Sequence, residues 1–282
     1  MLRLACCAMM GMLLTSACSK KPDAPDTDVT QGVEQPAGEV AAEVGQGTVT
    51  AVDTPHQIEV SKDYFTGSAR VDDALFSVAP DLAADLLADA RVRIEAMDED
   101  ARTYREADPE YFNPYSLSIE WTLVAQAGDL ISIEGFTGAY SGGAHGNYGT
   151  DARIHDLAAK TDIALRDLMA DPEGAMAASL PVVLSEIGRQ RSEKAGGGGS
   201  ADTFRGEAAD AISAESILGG EIGLAASNVA ERFGGFAVHF APYEIGSYAE
   251  GAYKVTVPQA VFQDFLKPRY AALFAGEPAI AE

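Results

Sequence analysis

The clearest helical pattern in the chain follows residue 72. Between residues 75 and 94 apolar residues recur every three or four positions with aspartates between them, which predicts an amphipathic helix that begins at Asp72 or Asp73. Pro80 is expected to kink or restart this helix. The stripe predicted to face the core comprises Leu75, Val78, Leu82, Leu86, Ala90 and Ile94.

A second helical region covers residues 164–169 and 173–193, and Pro181 is its predicted kink. Residues 196–199 are consecutive glycines, whose conformational entropy disfavours a regular element, so we predict a flexible surface loop there. This loop lacks the lysine and the strand-to-helix context of a phosphate-binding loop.

Strands are predicted where polar and apolar residues alternate. Residues 48–60 are expected to form an opening strand, and residues 116–123 and 130–136 a β-hairpin that turns at residues 127–129. Trp121 shares the apolar face of this hairpin, which predicts a core position; an aromatic platform for a sugar or peptide is the alternative.

The C-terminal half repeats this alternation. Residues 229–233 and 236–240, separated by Gly234 and Gly235, are predicted to form a second hairpin, and residues 253–257 a further strand. Strands and helices are mixed without a regular βαβ order, which predicts an α+β fold with antiparallel sheets and packed helices, in one lobe or two.

The N-terminus has the pattern of a secretory signal peptide. Arg3 is followed by an apolar run over residues 4–14 and then by small residues, and the run is shorter than the roughly 20 residues that a membrane-spanning helix needs. The ending L-T-S-A-C resembles the bacterial lipoprotein signal, which implies removal of residues 1–17 and lipidation of Cys18. Ser19 after the cysteine implies an outer-membrane lipoprotein facing the periplasm. Ordinary cleavage and release is the alternative.

Residues 18–47 are predicted to be an acidic, disordered tether. They contain no aromatic residue and no leucine or isoleucine, so they cannot bury enough apolar surface to fold alone. A flexible coil of this length would hold the domain on the order of 30 Å from the membrane.

Charge and cysteine usage limit the partners. The formal net charge is −23, which argues against nucleic acid or anionic lipid as partners and leaves the lipid anchor as the expected membrane contact. All cysteines lie within the first eighteen residues, so the folded part is expected to contain no disulfide and no cysteine metal site.

The sequence contains few candidate residues for catalysis or metal binding. The chain has no H-E-x-x-H and no G-x-S-x-G motif, and neither a metal nor a cofactor is predicted. His145, Asp151 and His155 would form a metal site only if neighbouring strands brought them together. His145 lies in the segment Y-S-G-G-A-H-G-N-Y-G at residues 140–149, predicted to connect two strands, and a hydrogen bond to backbone is favoured over a ligand role there.

Two motifs carry a resemblance to a family. G-G-A-H-G at residues 142–146 and G-F-A-V-H-F-A-P-Y-E-I-G-S-Y-A-E-G at residues 235–251 resemble motifs of the extracytoplasmic PdaC/RsiV-like domains. Residues 154–157, 163–168 and 255–258 continue the similarity, which implies an N-terminal part at residues 48–160 and a C-terminal part at residues 161–275. In this family the module occurs in an anti-sigma factor that binds lysozyme and beside a peptidoglycan deacetylase domain, to which this chain shows no resemblance.

The resemblance implies a non-catalytic ligand- or protein-binding domain on a lipid-anchored envelope protein. The expected partner is a cationic muramidase of the lysozyme type or a peptidoglycan fragment. The candidate binding residues are Tyr140, His145, Tyr148, Tyr243, Glu244 and Tyr248. Two alternatives stay open: these residues only fix a turn and a corner between strands, or the domain is a cell-wall hydrolase that uses His145 and nearby carboxylates.

Overall fold

The computed structural model describes residues 50–54, 56–196 and 198–279. The predicted signal peptide, Cys18 and the tether lie outside the described residues. The strands are β1 (Thr50–Thr54), β2 (Gln57–Ser61), β3 (Phe65–Val71), β4 (Tyr115–Ala127), β5 (Leu130–Tyr140), β6 (Asn147–Asp156), β7 (Thr161–Ile163), β8 (Glu221–Ala226), β9 (Phe233–Phe240) and β10 (Tyr253–Pro258). The helices are α1 (Asp73–Val78), α2 (Pro80–Ala107), α3 (Leu165–Leu168), α4 (Pro172–Lys194), α5 (Ala201–Ala211), α6 (Ala214–Leu218), α7 (Gln259–Phe262) and α8 (Pro268–Ala271).

The strands form two sheets. The larger sheet has the order β1-β2-β3-β4-β5-β6-β7 and the smaller has the order β10-β9-β8. Neighbouring strands are antiparallel except for β3 and β4, which are parallel because α1 and α2 connect them. The predicted α+β class is confirmed.

Both faces of the larger sheet contribute to a hydrophobic core. On one face, Trp121 and Ile133 pack in a cluster with Leu86 and Ile94 of α2. Leu130 belongs to a second cluster, which contains the small sheet and α4. Because the same sheet serves both clusters, the two cores are layers on either side of it rather than independent lobes.

The first helical region forms as predicted, and four residues of the predicted stripe are buried, whereas Val78 and Leu82 are half-buried. The Asp72 side chain accepts a hydrogen bond from the Ala74 backbone N–H and caps α1, and Pro80 restarts the chain as the first residue of α2. Trp121, predicted for the core, is buried. In the part of the chain that is described, no helix is long and apolar enough to cross a membrane.

The N-terminal strand prediction was incomplete. Two antiparallel strands, β1 and β2, occupy the region predicted as one, and β3 follows them. Because α2 packs directly on β3, the strand has small residues there and lacks the alternation of large apolar residues that predicts a strand. A Cβ at Gly67 would lie 2.8 Å from Cγ2 of Ile94.

The predicted hairpin turn at Gly234 and Gly235 was wrong. Both glycines lie inside β9, and the strand that pairs with it is β8. A Cβ at Gly235 would lie 2.1 Å from the Val257 carbonyl oxygen, and one at Gly234 would lie 2.6 Å from Pro278. Close approach of neighbouring backbone, not a reversal of the chain, requires glycine at both positions.

Candidate binding site

The two motif segments meet in three dimensions. The β5–β6 connection supplies His145, the start of β6 supplies Tyr148, and the β9–β10 connection supplies Tyr243 and Tyr248. The Tyr248 ring lies at the centre: its centroid is 4.3 Å from that of His145, 5.4 Å from that of Tyr243 and 6.3 Å from that of Tyr148. We call these residues, with Phe136 stacked at 5.9 Å on Tyr148, the aromatic cluster.

Hydrogen bonds between tyrosine hydroxyls and backbone groups connect the two segments. The Tyr248 hydroxyl donates to the Gly146 carbonyl, and Oη of Tyr148 accepts from the Ala252 backbone N–H at 2.9 Å. Nδ1 of His145 donates to the same Gly146 carbonyl at 2.9 Å. His145 thus bonds to backbone, and both tyrosines combine an apolar contact with a satisfied polar end.

Two positive φ angles shape the β9–β10 connection. Gly251 has a φ of 72° and a ψ of −163°, a region open to glycine, and a Cβ there would lie 2.7 Å from Oη of Tyr148. Tyr243 has a φ of 74° and its side chain is 64% exposed. Glu244 turns back on its own loop and accepts a hydrogen bond from the Ala241 backbone N–H at 2.5 Å, so its contact is local.

A half-buried ion pair anchors this connection to α4. Oε2 of Glu250 accepts hydrogen bonds from Nε of Arg191 at 2.9 Å and from the Tyr253 hydroxyl at 2.7 Å. Burial alone would raise the pKa of Glu250, but hydrogen bonds from Tyr253, the Ser247 N–H and Arg191 lower it to about 2. Burial and the Glu250 carboxylate raise the pKa of Tyr253. The carboxylate is therefore ionised at neutral pH and holds the segment that carries Tyr248.

An open groove runs from the aromatic cluster across the larger sheet. Its volume is about 600 Å³, and Phe136, Tyr140, Tyr148 and Tyr248 line one part of it. On one face of β2, β3 and β4 it is lined mainly by small hydroxyl side chains: Ser61, Thr66, Ser68, Ser116 and Ser118. This face is opposite to the one that packs on α2, because Phe65, Gly67 and Ala69 alternate with Thr66 and Ser68 along β3. We call it the hydroxyl groove.

Strand register explains why these hydroxyls are adjacent. Ser61, Thr66, Ser116 and Tyr140 are cross-strand neighbours from β2 to β5. Glu59, Ser68, Ser118, Gly138 and Tyr148 form the next row, from β2 to β6. Glu59 is the one charged residue among the described residues that line the groove. Hydroxyls beside aromatic rings suit an uncharged ligand with many hydroxyl groups, which stacks and hydrogen-bonds at once.

Further along the same face of β5, the small sheet covers the larger one. Oγ of buried Ser132 accepts a hydrogen bond from the Leu224 backbone N–H at 2.8 Å. Two residues away, Glu134 pairs with Lys254 and lies 3.3 Å from Nε2 of His239. Burial would raise the pKa of Glu134, but the nearby His239 and Lys254 side chains lower it to about 2. These contacts hold the small sheet on the larger one.

The structure does not bring His145, Asp151 and His155 together. Nδ1 of His155 bonds to Oδ1 of Asp162 at 2.7 Å, and Asp151 pairs with Arg153 at 2.9 Å. No group of three or more histidine, cysteine, aspartate or glutamate side chains in the described ranges could hold a metal ion. His145 is exposed, and the contacts found for it there are the Gly146 carbonyl and the Tyr248 ring, with no carboxylate beside it.

Sequence reasoning selected His145, Tyr148, Tyr243 and Tyr248 as candidate binding residues, but it did not select Phe136 of the aromatic cluster and it missed the groove. Ser116 and Ser118 were recognised as the polar positions of a strand, which are usually solvated, and β3 with Thr66 and Ser68 was not predicted. The available signal was the concentration of serine and threonine at positions 66 and 68 of β3 and 116 and 118 of β4, before the charged pair Arg70 and Glu120 on the same face.

No protein-family model and no curated protein matches the chain. Solved structures that are similar to it include the following two. One, from Bacteroides fragilis, has a TM-score of 0.45 and 14% identity and covers 81% of this chain and 95% of its own. The other, from Pseudomonas aeruginosa, has a TM-score of 0.44 and 13% identity and covers 82% of this chain and 97% of its own. Both of these structural neighbours are DUF3298 family proteins.

Proposed function

We propose that this chain is a lipid-anchored protein of the bacterial envelope whose α+β domain binds a peptidoglycan fragment without catalysis. The hydroxyl groove is the observation that supports this proposal. It offers serine and threonine hydroxyls in adjacent rows beside the exposed ring of Phe136 and three half-buried tyrosine rings, and it carries little charge. A glycan strand presents hydroxyl groups along its edges and C–H groups on its ring faces, which are complementary to these two kinds of side chain.

The surroundings of His145 support binding rather than hydrolysis. Its ring is stacked on Tyr248, and its Nδ1 proton is held by a backbone carbonyl. Nε2 of His145 stays available, but glycoside hydrolysis uses a pair of carboxyl groups, and among the described residues no carboxylate contacts His145. The Nδ1 bond and the ring stacking fix the β5–β6 connection.

The test is retention of the purified protein on insoluble peptidoglycan. The double variant Ser68→Ala, Ser118→Ala removes two hydroxyls that are cross-strand neighbours in the groove. We expect it to bind about tenfold more weakly, because each lost hydrogen bond contributes about 0.5–1.5 kcal/mol. The matched control is Thr122→Ala, Ser185→Ala, which removes two exposed hydroxyls outside the groove. Equal retention of both double variants and the parent would refute glycan binding in the groove.

A cationic muramidase of the lysozyme type is the second candidate partner. The net charge of −23 favours encounter with a basic protein, and Tyr243 offers an exposed ring beside the groove. The test is a pull-down with lysozyme at moderate salt beside a basic protein of similar charge and unrelated fold. Retention of lysozyme no greater than that of the second protein eliminates this candidate.

The anchor is proposed from the sequence of residues 1–18. Acylation of Cys18 would place the domain at the envelope, since several acyl chains together give effectively permanent attachment. Metabolic labelling with an alkyne fatty acid should mark the parent and Cys7→Ser but not Cys18→Ser. Labelling of Cys18→Ser would contradict the anchor and leave the groove proposal untouched.

A further inference from the structure

A second pocket lies on the opposite side of the larger sheet from the hydroxyl groove. Its volume is about 360 Å³, and it lies between the N-terminal end of α2 and the β6–β7 turn. His155 of β6 lines this pocket, whereas Tyr148 of the same strand lines the groove. The two positions are seven residues apart on a regularly paired strand, so their side chains point to opposite faces.

His155 presents one free nitrogen to this pocket. The residue is only 8% exposed, and its Nδ1 is held by Oδ1 of Asp162 at 2.7 Å. A proton on Nδ1 is donated to Asp162, and in that tautomer Nε2 is a hydrogen-bond acceptor. Among the residues that the structure describes, Nε2 of His155 has no hydrogen-bond partner.

Two carboxylates one helical turn apart line the same pocket. Asp81 already binds a primary ammonium group, since Nζ of Lys160 lies 2.8 Å from its Oδ2. Asp85 has no ion pair or hydrogen bond within the described ranges. Together the two carboxylates outweigh Lys160 and the partial positive charge at the start of α2, so the pocket favours a cation.

We propose that this pocket is a second binding site, for a primary ammonium group carried on a short aliphatic chain. The ammonium group would donate hydrogen bonds to Nε2 of His155 and to Asp85, the two acceptors without partners. Its aliphatic chain would pack on the apolar residues of the pocket, Val78, Leu82 and Leu157. Either a free amine or the side chain of a lysine-like residue in a peptide offers this chemistry.

The test uses the ring signals of the four histidines in NMR of the full chain. Titration with n-butylamine should shift the His155 signal saturably, while those of His56, His145 and His239 serve as internal references. Butyrate, of the same length and opposite charge, should not shift it. A parallel titration with Nα-acetyl-lysine methylamide separates the sources: binding of both probes indicates lysine-like side chains, and binding of butylamine alone indicates a free amine.

Asp85→Asn is the decisive variant because Asp85 is exposed and its loss leaves the fold intact. It should weaken butylamine binding by about two- to fivefold. The matched control is Asp100→Asn, the same change at an exposed position of α2 about four turns away. Equal shifts with butyrate, no shift with either amine, or an unchanged affinity in Asp85→Asn would overturn the proposal.

Discussion

Replacement of Gly251 by alanine tests how strongly the backbone behind the aromatic cluster is constrained. The φ of 72° and ψ of −163° at this residue lie in a region that costs an L-residue about 1–3 kcal/mol. The new Cβ would also lie 2.7 Å from Oη of Tyr148, and overpacking of this kind costs about 1–3 kcal/mol. Both costs arise from one atom and are not additive, so we expect a loss of about 2–4 kcal/mol in the free energy of unfolding.

The assay is urea unfolding followed by the fluorescence of Trp121, the sole tryptophan. A thermal scan should show a melting temperature lower by about 5–15 °C for a domain of this size. Gly206→Ala is the matched control: Gly206 lies in α5 with no atom within 4 Å of an added Cβ, so alanine should stabilise the protein by about 0.5–1 kcal/mol. A Gly251→Ala protein as stable as the parent would refute the proposed constraint.

Three further changes follow from the same contacts. The pKa of Glu250 is about 2 in the folded protein against 4.5 ordinarily, so its stabilisation is present above pH 4.5 and is lost as the pH falls from 4.5 towards 2. The variant Glu250→Gln should therefore flatten the dependence of the urea midpoint on pH in this window. A curve for the variant that is parallel to that of the parent and only shifted would contradict this. Ser132→Ala leaves the buried Leu224 N–H without its acceptor and should lower the free energy of unfolding by about 1–3 kcal/mol, as measured by urea titration; a change below 0.5 kcal/mol would show that the N–H finds another partner. Phe136→Ala removes a ring that is 40% exposed, so it should weaken retention on peptidoglycan while the melting temperature changes little, and undiminished retention would argue against stacking.

The sequence predicts helices and strands best where one side chain after another faces the same environment. The stripe of α2 and the alternation of β4 continue for several turns or residues, so the core positions Leu86 and Trp121 follow from periodicity. The β3 strand has too few large apolar residues for that signal, since α2 approaches its backbone at Gly67. The turn prediction at Gly235 failed for a related reason, because in the sequence a glycine required by close packing cannot be told from a glycine required by a turn.

The candidate site was predictable only in part, for a different physical reason. Tyr148 and Tyr248 lie in separate sequence motifs. Each motif by itself marks its tyrosine as a candidate binding residue. The groove depends on the parallel pairing of β3 with β4, which places Ser68 beside Ser118 across fifty residues of intervening helix and turn. No local pattern encodes that register. The register arises because α1 and α2 return the chain to the end of the sheet at which β3 began.

The shared sheet has a consequence for how the chain could be divided. A cut at residue 160 falls between β6 and β7, two paired strands of the larger sheet. The N-terminal fragment would keep α2 on one face and expose Leu130 and Ile154 on the other, where the small sheet now covers them. Such an apolar surface promotes self-association. We therefore expect each half to be insoluble when it is expressed alone. Co-expression of the two halves should be required for soluble protein.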